Sequence, residues 1–111
     1  MTWVKLDDGF WSHPKVDGTS LAAVGVFARS LSYCGAHLTD GSITPEAAIY
    51  MAAGKKALLA ELVDRGLWEQ LDGGYRIPDF LDFNPSREQV EAERQKAAER
   101  QAKFQRRSRR D

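Results

Sequence analysis

Between Leu62 and Ile77 the chain reads Leu-Val-Asp-Arg-Gly-Leu-Trp-Glu-Gln-Leu-Asp-Gly-Gly-Tyr-Arg-Ile, and no other stretch limits its fold as tightly. Gly66 is the residue type that commonly ends a helix in the left-handed conformation. Gly73-Gly74 suits a two-residue hairpin turn, in which both central residues need positive φ. The stretch therefore predicts the end of a helix, a glycine stop, and a β-hairpin over Leu67–Ile77. What lies in front of such a hairpin decides what it means.

Leu21, Val24, Phe27, Ala28, Leu31, Cys34 and Leu38 recur at spacings of three and four, so the spacing predicts a helix from about Thr19 to His37. Thr19 or Ser20 is a fitting N-cap. Thr39-Asp40-Gly41-Ser42 is turn chemistry, and Ile43 is placed to add one strand pair to the hairpin. Thr44-Pro45-Glu46 opens a second, short helix: threonine caps, proline takes the first helical position, and glutamate suits the positive end. Ala52-Ala53-Gly54 ends it, and a third helix runs from about Lys55 to Arg65, burying Leu58, Leu59, Leu62 and Val63. Two short helices about a glycine-containing turn make a helix-turn-helix. The hairpin behind them is then a wing. The expected fold is α+β, mainly α: a winged helix-turn-helix over residues 1–85, followed by a charged helix and basic tail over 86–111.

That last segment begins at Asn84-Pro85-Ser86, where Ser86 and Gln89 have capping-box spacing. No breaker follows from Arg87 to about Gln105, so a solvated helix is expected there, supported by pairs such as Glu91/Arg94 and Glu99/Lys103. Its end, Arg106-Arg107-Ser108-Arg109-Arg110, is expected to fray. Ahead of the first helix, Trp3-Val4-Lys5-Leu6 suits a short strand or an extended arm. Phe80-Leu81-Asp82-Phe83 forms an apolar patch able to pack back across the body.

The formal charge of zero hides a polarised distribution. Residues 1–85 hold seven bases against eleven acids, a net of −4, and residues 86–111 hold nine bases against five acids, a net of +4. An acidic body with a basic interaction tail follows. No apolar run approaches the ~20 residues that span a bilayer, so no membrane is expected. The first residues lack a signal-peptide pattern, which points to the cytoplasm. Cys34 is the single cysteine, excluding an internal disulfide and a cysteine-based zinc site.

Trp3-Val4-Lys5-Leu6-Asp7-Asp8-Gly9-Phe10, His13-Pro14-Lys15, Gly66-Leu67-Trp68-Glu69, Gly74-Tyr75-Arg76-Ile77 and Phe80-Leu81-Asp82-Phe83-Asn84-Pro85-Ser86-Arg87 form a series. It resembles small helix-turn-helix proteins of actinobacterial phages, prophages and mobile elements, which look related to the winged-helix part of DnaD-type replisome organisers. The resemblance implies a winged helix and a DNA-related role in replication initiation or transcriptional regulation. It transfers no functional residues.

The candidate contacts come from charge and position. Lys55 and Lys56 lie at the start of the third helix, a positive helix end where lysine is unfavourable without an anion. Residues at that end of a recognition helix meet base edges or phosphates. Ala60, Glu61 and Asp64, the exposed positions expected along the rest of that face, are poor readers of purines. Arg76 in the wing is placed for a minor groove. Tyr75 and Trp68 are expected to close the core beneath the hairpin. Lys103, Arg106, Arg107, Arg109 and Arg110 crowd into eight residues and suit phosphate neutralisation without sequence reading.

Double-stranded DNA is thus the expected partner. The alternative is docking to a replisome or host protein, which the acidic body favours. Val90, Ala97 and Phe104, seven apart, hint at a homodimer seam along the last helix. His13 and His37 stand isolated, Asp7-Asp8 suits a turn, and Cys34 suits the core. No catalytic motif or cofactor site is present in the pattern, so neither enzyme activity nor a cofactor is expected.

Overall fold

The computed structural model describes residues 3–84 and 86–110, without the side chains of residues 82, 83 and 107–110. A 3-10 turn at Phe10–Ser12 and the four-residue helix α1 (Pro14–Asp17) lead into α2 (Leu21–His37). There follow β1 (Ser42–Ile43), α3 (Pro45–Met51), α4 (Lys56–Asp64), β2 (Glu69–Leu71) and β3 (Gly74–Arg76). The short α5 (Phe80–Phe83) and the 24-residue α6 (Arg87–Arg110) close the chain. The protein is therefore mainly helical with one small antiparallel sheet, in which β3 lies between β1 and β2.

Local chemistry explains most boundaries. Ser20 Oγ accepts from Ala23 N at the start of α2, and Thr44 Oγ1 accepts from Ala47 N at the start of α3, with Pro45 in the first helical position. At the end of α4, Gly66 takes φ 78°, its N–H reaches the Val63 carbonyl and the Leu67 N–H reaches that of Leu62. That is a Schellman closure, as Gly66 predicts. The end of α3 closes the same way, through Ala53 N to Tyr50 O and Gly54 N to Ile49 O. There the left-handed residue is Ala53, at φ 52°, a conformation costing an L residue ~1–2 kcal/mol.

The hairpin corrects the expected turn. Leu71 pairs with Gly74, so the two connecting residues are Asp72 and Gly73, not Gly73 and Gly74. Among these, positive φ belongs to Gly74 alone, at 138°. A Cβ on Gly74 would run into the Ile43 carbonyl oxygen. Gly74 thus serves the close approach of β1 to the central strand β3 rather than a mirror-image turn.

One core joins these parts. Val26, Phe27, Leu31 and Cys34 of α2 meet Met51 of α3, Leu59 and Leu62 of α4, and Trp68 beneath the hairpin. Trp68 is 1% exposed, and its indole N–H donates to Ser30 Oγ, itself 0% exposed, at 3.2 Å. The Ser30 hydroxyl in turn donates to Phe27 O at 2.6 Å, so both buried polar groups are satisfied. Tyr75 is half-buried, its ring 5.0 Å from Trp68, as expected for residues that close the core.

The N-terminal arm and the root of α6 are fastened to this body. The stretch Trp3–Leu6 is an extended arm and not a strand. Its Lys5 N–H donates to Asn84 Oδ1 at 2.7 Å, and Val4 packs on Gly35 of α2. Phe80 is buried, as the expected apolar patch requires, whereas Leu81 is exposed and the Phe83 side chain lies outside the described residues. At the root of α6 the capping box forms in both directions, Ser86 N to Gln89 Oε1 and Gln89 N to Ser86 Oγ. Asp40 adds a third tie, accepting from Arg87 N at 2.6 Å.

Val90 is buried, facing Cys34, Gly35 and Leu38. It therefore belongs to the body, and the suggested seam keeps only exposed Ala97 and Phe104. Contrary to the expected fraying, α6 continues as helix through Arg110. At 1.5 Å per residue it is about 36 Å long, which accounts for much of the molecule's 63 Å length.

Candidate nucleic-acid interface

The turn between α3 and α4 presents Lys55 and Lys56, both exposed. Lys55 is the N-cap of α4 and Lys56 its first residue. No side chain caps this helix start, in contrast to α2 and α3. Its partial positive charge and two ammonium groups therefore face solvent together, an arrangement an anion would relieve.

Farther along α4, Ala60 and Asp64 are exposed, as expected, but Glu61 is not a free acid on that face. Its carboxylate accepts from Ser20 N at 2.6 Å and Ser20 Oγ at 2.8 Å, across to the start of α2. These two bonds, with the Arg65 charge, hold its pKa below the ordinary glutamate value. The expected acidic face of α4 thus shrinks to Asp64. Sequence spacing placed Glu61 on the helix but not its partner, 41 residues earlier.

The base of the hairpin is engaged within the protein. Arg76 sits directly opposite Glu69 across the hairpin and pairs with its carboxylate. The pair neutralises the one base of the hairpin at a half-exposed site, where such a bond is weak but local charge still cancels. Arg65 and Lys15 are also engaged: Arg65 lies over Gly18 and reaches Pro14 O at 3.4 Å, and Lys15 reaches Gly66 O at 3.5 Å.

Arg29 is a body cation that sequence reasoning missed. From the exposed side of α2 its guanidinium donates to Met51 O at 2.7 Å and lies 5.3 Å above the Tyr50 ring. That brings it to the end of α3, beside the turn that carries Lys55 and Lys56. No local signal in the sequence joins residue 29 to residues 50 and 51.

On α6, Lys103 and Arg106 are exposed, and so is Arg100 one turn earlier. The side chains of Arg107, Arg109 and Arg110 lie outside the described residues. Ion pairs on this helix include Arg87–Glu91 at 3.0 Å and Glu93–Lys96 at 3.9 Å, both in its first half. The structure thus separates two groups of expected contacts, one at the α3–α4 turn and one at the far end of α6, and sets Arg76 in neither.

The other singled-out groups have structural positions. His13 Nδ1 accepts from Lys15 N at the start of α1. His37 lies at the end of α2, its ring against Tyr33. Asp7 accepts from Gly9 N in a turn. Cys34 is buried, and burial pushes its thiol pKa up, away from reactivity. Among the described residues no group of three or more histidine, cysteine or acidic side chains is arranged to hold a metal. Among those residues, too, no helix is long and apolar enough to cross a membrane. Compared with known proteins, the chain matches no family model, no curated protein and no solved structure.

Proposed function

We propose that the protein is a winged-helix protein that binds duplex DNA through phosphate attraction, acting in replication initiation or transcriptional regulation. The supporting topology is helix, strand, two helices and a hairpin, with the first strand paired to the last. In this reading α3 and α4 are the helix-turn-helix, α4 is the recognition helix, and β2–β3 is the wing. The resemblance to phage and mobile-element helix-turn-helix proteins supports the biological setting.

The observation that carries the reading is charge placement. Bases gather at the uncapped start of α4 and at the end of a helix that projects from an acidic body. The recognition face has Ala60 where base readers would stand, and Arg76 is spent on Glu69. Binding is therefore mainly electrostatic, with little sequence discrimination.

The test is a salt series on a random-sequence duplex with the full chain and with Lys103, Arg106, Arg107, Arg109 and Arg110 replaced by glutamine. Each phosphate contact contributes about 0.9 to the slope of log K against log salt. Five lost contacts flatten the slope by about 4.5, which is about 500-fold in the affinity ratio over a fourfold salt change. An unchanged slope refutes the tail mechanism.

A second reading, docking to a replisome or host protein, is favoured by the net −4 of the body. Absence of duplex binding at low salt, with recovery of one defined protein partner after nuclease treatment, would decide for it.

A further inference from the structure

We infer that Arg29 and Tyr50 complete the phosphate-binding edge begun by Lys55 and Lys56, so that the body meets the DNA backbone with the α3–α4 turn and the flank of α2. The inference rests on the DNA-binding reading and names its contacts on the body. Ala53 and Gly54 both take left-handed conformations, and Lys55 N donates to Ala52 O. The chain thereby turns back at the end of α3. Arg29, from α2, is fixed at that same end by its bond to Met51 O.

The guanidinium has donors to spare. It carries five N–H groups in a rigid fork, and the bond to Met51 O uses one. Contact with the Tyr50 face leaves its edge open, and a planar fork held in one orientation loses little freedom on meeting a phosphate. Tyr50 is 74% exposed, an unusual placement for a large aromatic ring whose own helix has a buried side. Its hydroxyl is a donor of the kind that contacts phosphate oxygens.

Charge separates this edge from the rest of the body. Arg76 is paired with Glu69, and Arg65 and Lys15 close the far end of α4. Arg29 is held on Met51 O, and Lys55 and Lys56 follow Met51 four and five residues further along the chain, while Glu46, the acid of α3, stands in the first turn of that helix. A body of net −4 thus carries a local cationic edge here, and it coincides with the helix start that a recognition helix aims at DNA.

Full-length wild type, Arg29→Gln, Arg29→Lys and Tyr50→Phe are compared by fluorescence anisotropy on a random-sequence duplex across a salt series, with thermal unfolding measured in parallel. Arg29→Gln is expected to flatten the slope by about 0.9 and to weaken binding about eightfold at 0.1 M salt. Arg29→Lys keeps the slope. Tyr50→Phe keeps the ring beneath Arg29 and the slope but weakens binding, through loss of the hydroxyl donor. Wild-type affinity and slope in Arg29→Gln overturn the inference, whatever happens to its melting temperature, because a purely structural arginine changes stability and not ion release. Wild-type affinity in Tyr50→Phe overturns the part assigned to Tyr50. Failure of the wild-type chain itself to bind duplex at low salt refutes the DNA-binding reading instead.

Discussion

Replacing Ser30 with alanine isolates the one hydrogen bond that ties the hairpin's tryptophan to the first long helix. Ser30 and Trp68 are both closed to solvent, and the indole N–H has the Ser30 hydroxyl as its partner at 3.2 Å. Alanine leaves that N–H buried and unsatisfied. Such a donor costs ~1–3 kcal/mol, against only ~0.5–1.5 kcal/mol for the net worth of an ordinary hydrogen bond. A loss of about 2 kcal/mol lowers the melting temperature of a domain of this size by roughly 8–16 °C.

Circular dichroism is the suitable readout, because exposed Trp3 and Trp11 would mask the fluorescence of Trp68. The decisive comparison is a double-mutant cycle with Trp68→Phe. Phenylalanine has no N–H to strand, so Ser30→Ala in that background should cost under about 1 kcal/mol. Equal costs in the two backgrounds would refute the account, as would a single-variant effect within about 0.5 kcal/mol of zero.

Gly74→Ala is expected to destabilise by well over 1 kcal/mol, because the residue sits at φ 138° and its new Cβ meets backbone rather than a movable side chain. Gly73→Ala meets open space and should be neutral or slightly stabilising; hydrogen exchange at the β1–β3 amides and urea unfolding of the two variants check this contrast. Glu61 has its pKa lowered by the Ser20 bonds, so its contribution is fully present above the ordinary glutamate range and disappears as pH falls through the lower, folded-state value. Glu61→Gln should therefore be less stable than wild type near neutrality, with the gap closing as pH falls below the ordinary glutamate range; a gap independent of pH in urea titrations would contradict the assignment.

What the sequence revealed well was local. Thr44-Pro45, Gly66 and the Ser86/Gln89 box each act within four residues, so their chemistry is visible without knowing the tertiary structure. The strand pair at Ile43 was also legible, because a single apolar residue between turn signals has few other uses. The hairpin register was not. Two adjacent glycines invite a turn between them, yet the approach of Ile43 to Gly74 moves the turn back by one residue.

That displacement sets Glu69 opposite Arg76, so that the base of the hairpin is paired with a carboxylate. With Gly73-Gly74 as the turn, Arg76 would instead have faced Leu71. Contacts across the chain were equally hidden: Ser20 to Glu61, Asp40 to Arg87, and Arg29 to Met51. Each joins residues whose types are ordinary at their own positions. Packing of α2 against α4 and α3 makes the first and last of these pairs neighbours, and the seating of the α6 root beside the α2–β1 turn makes the other.

The ties along α4 are unevenly distributed, and that has a mechanical consequence. Glu61 binds Ser20 at mid-helix, while Arg65 and Gly66 are held by Pro14 and Lys15 at its end. Toward the other end, Leu59 is buried but no side chain caps the first turn. A nine-residue helix fixed in this way is a lever about 13 Å long with its fulcrum at the C-terminal end. A tilt of a few degrees there leaves the core contacts of Leu62 almost unmoved, yet it carries Lys55 and Lys56 through the largest arc available to the helix.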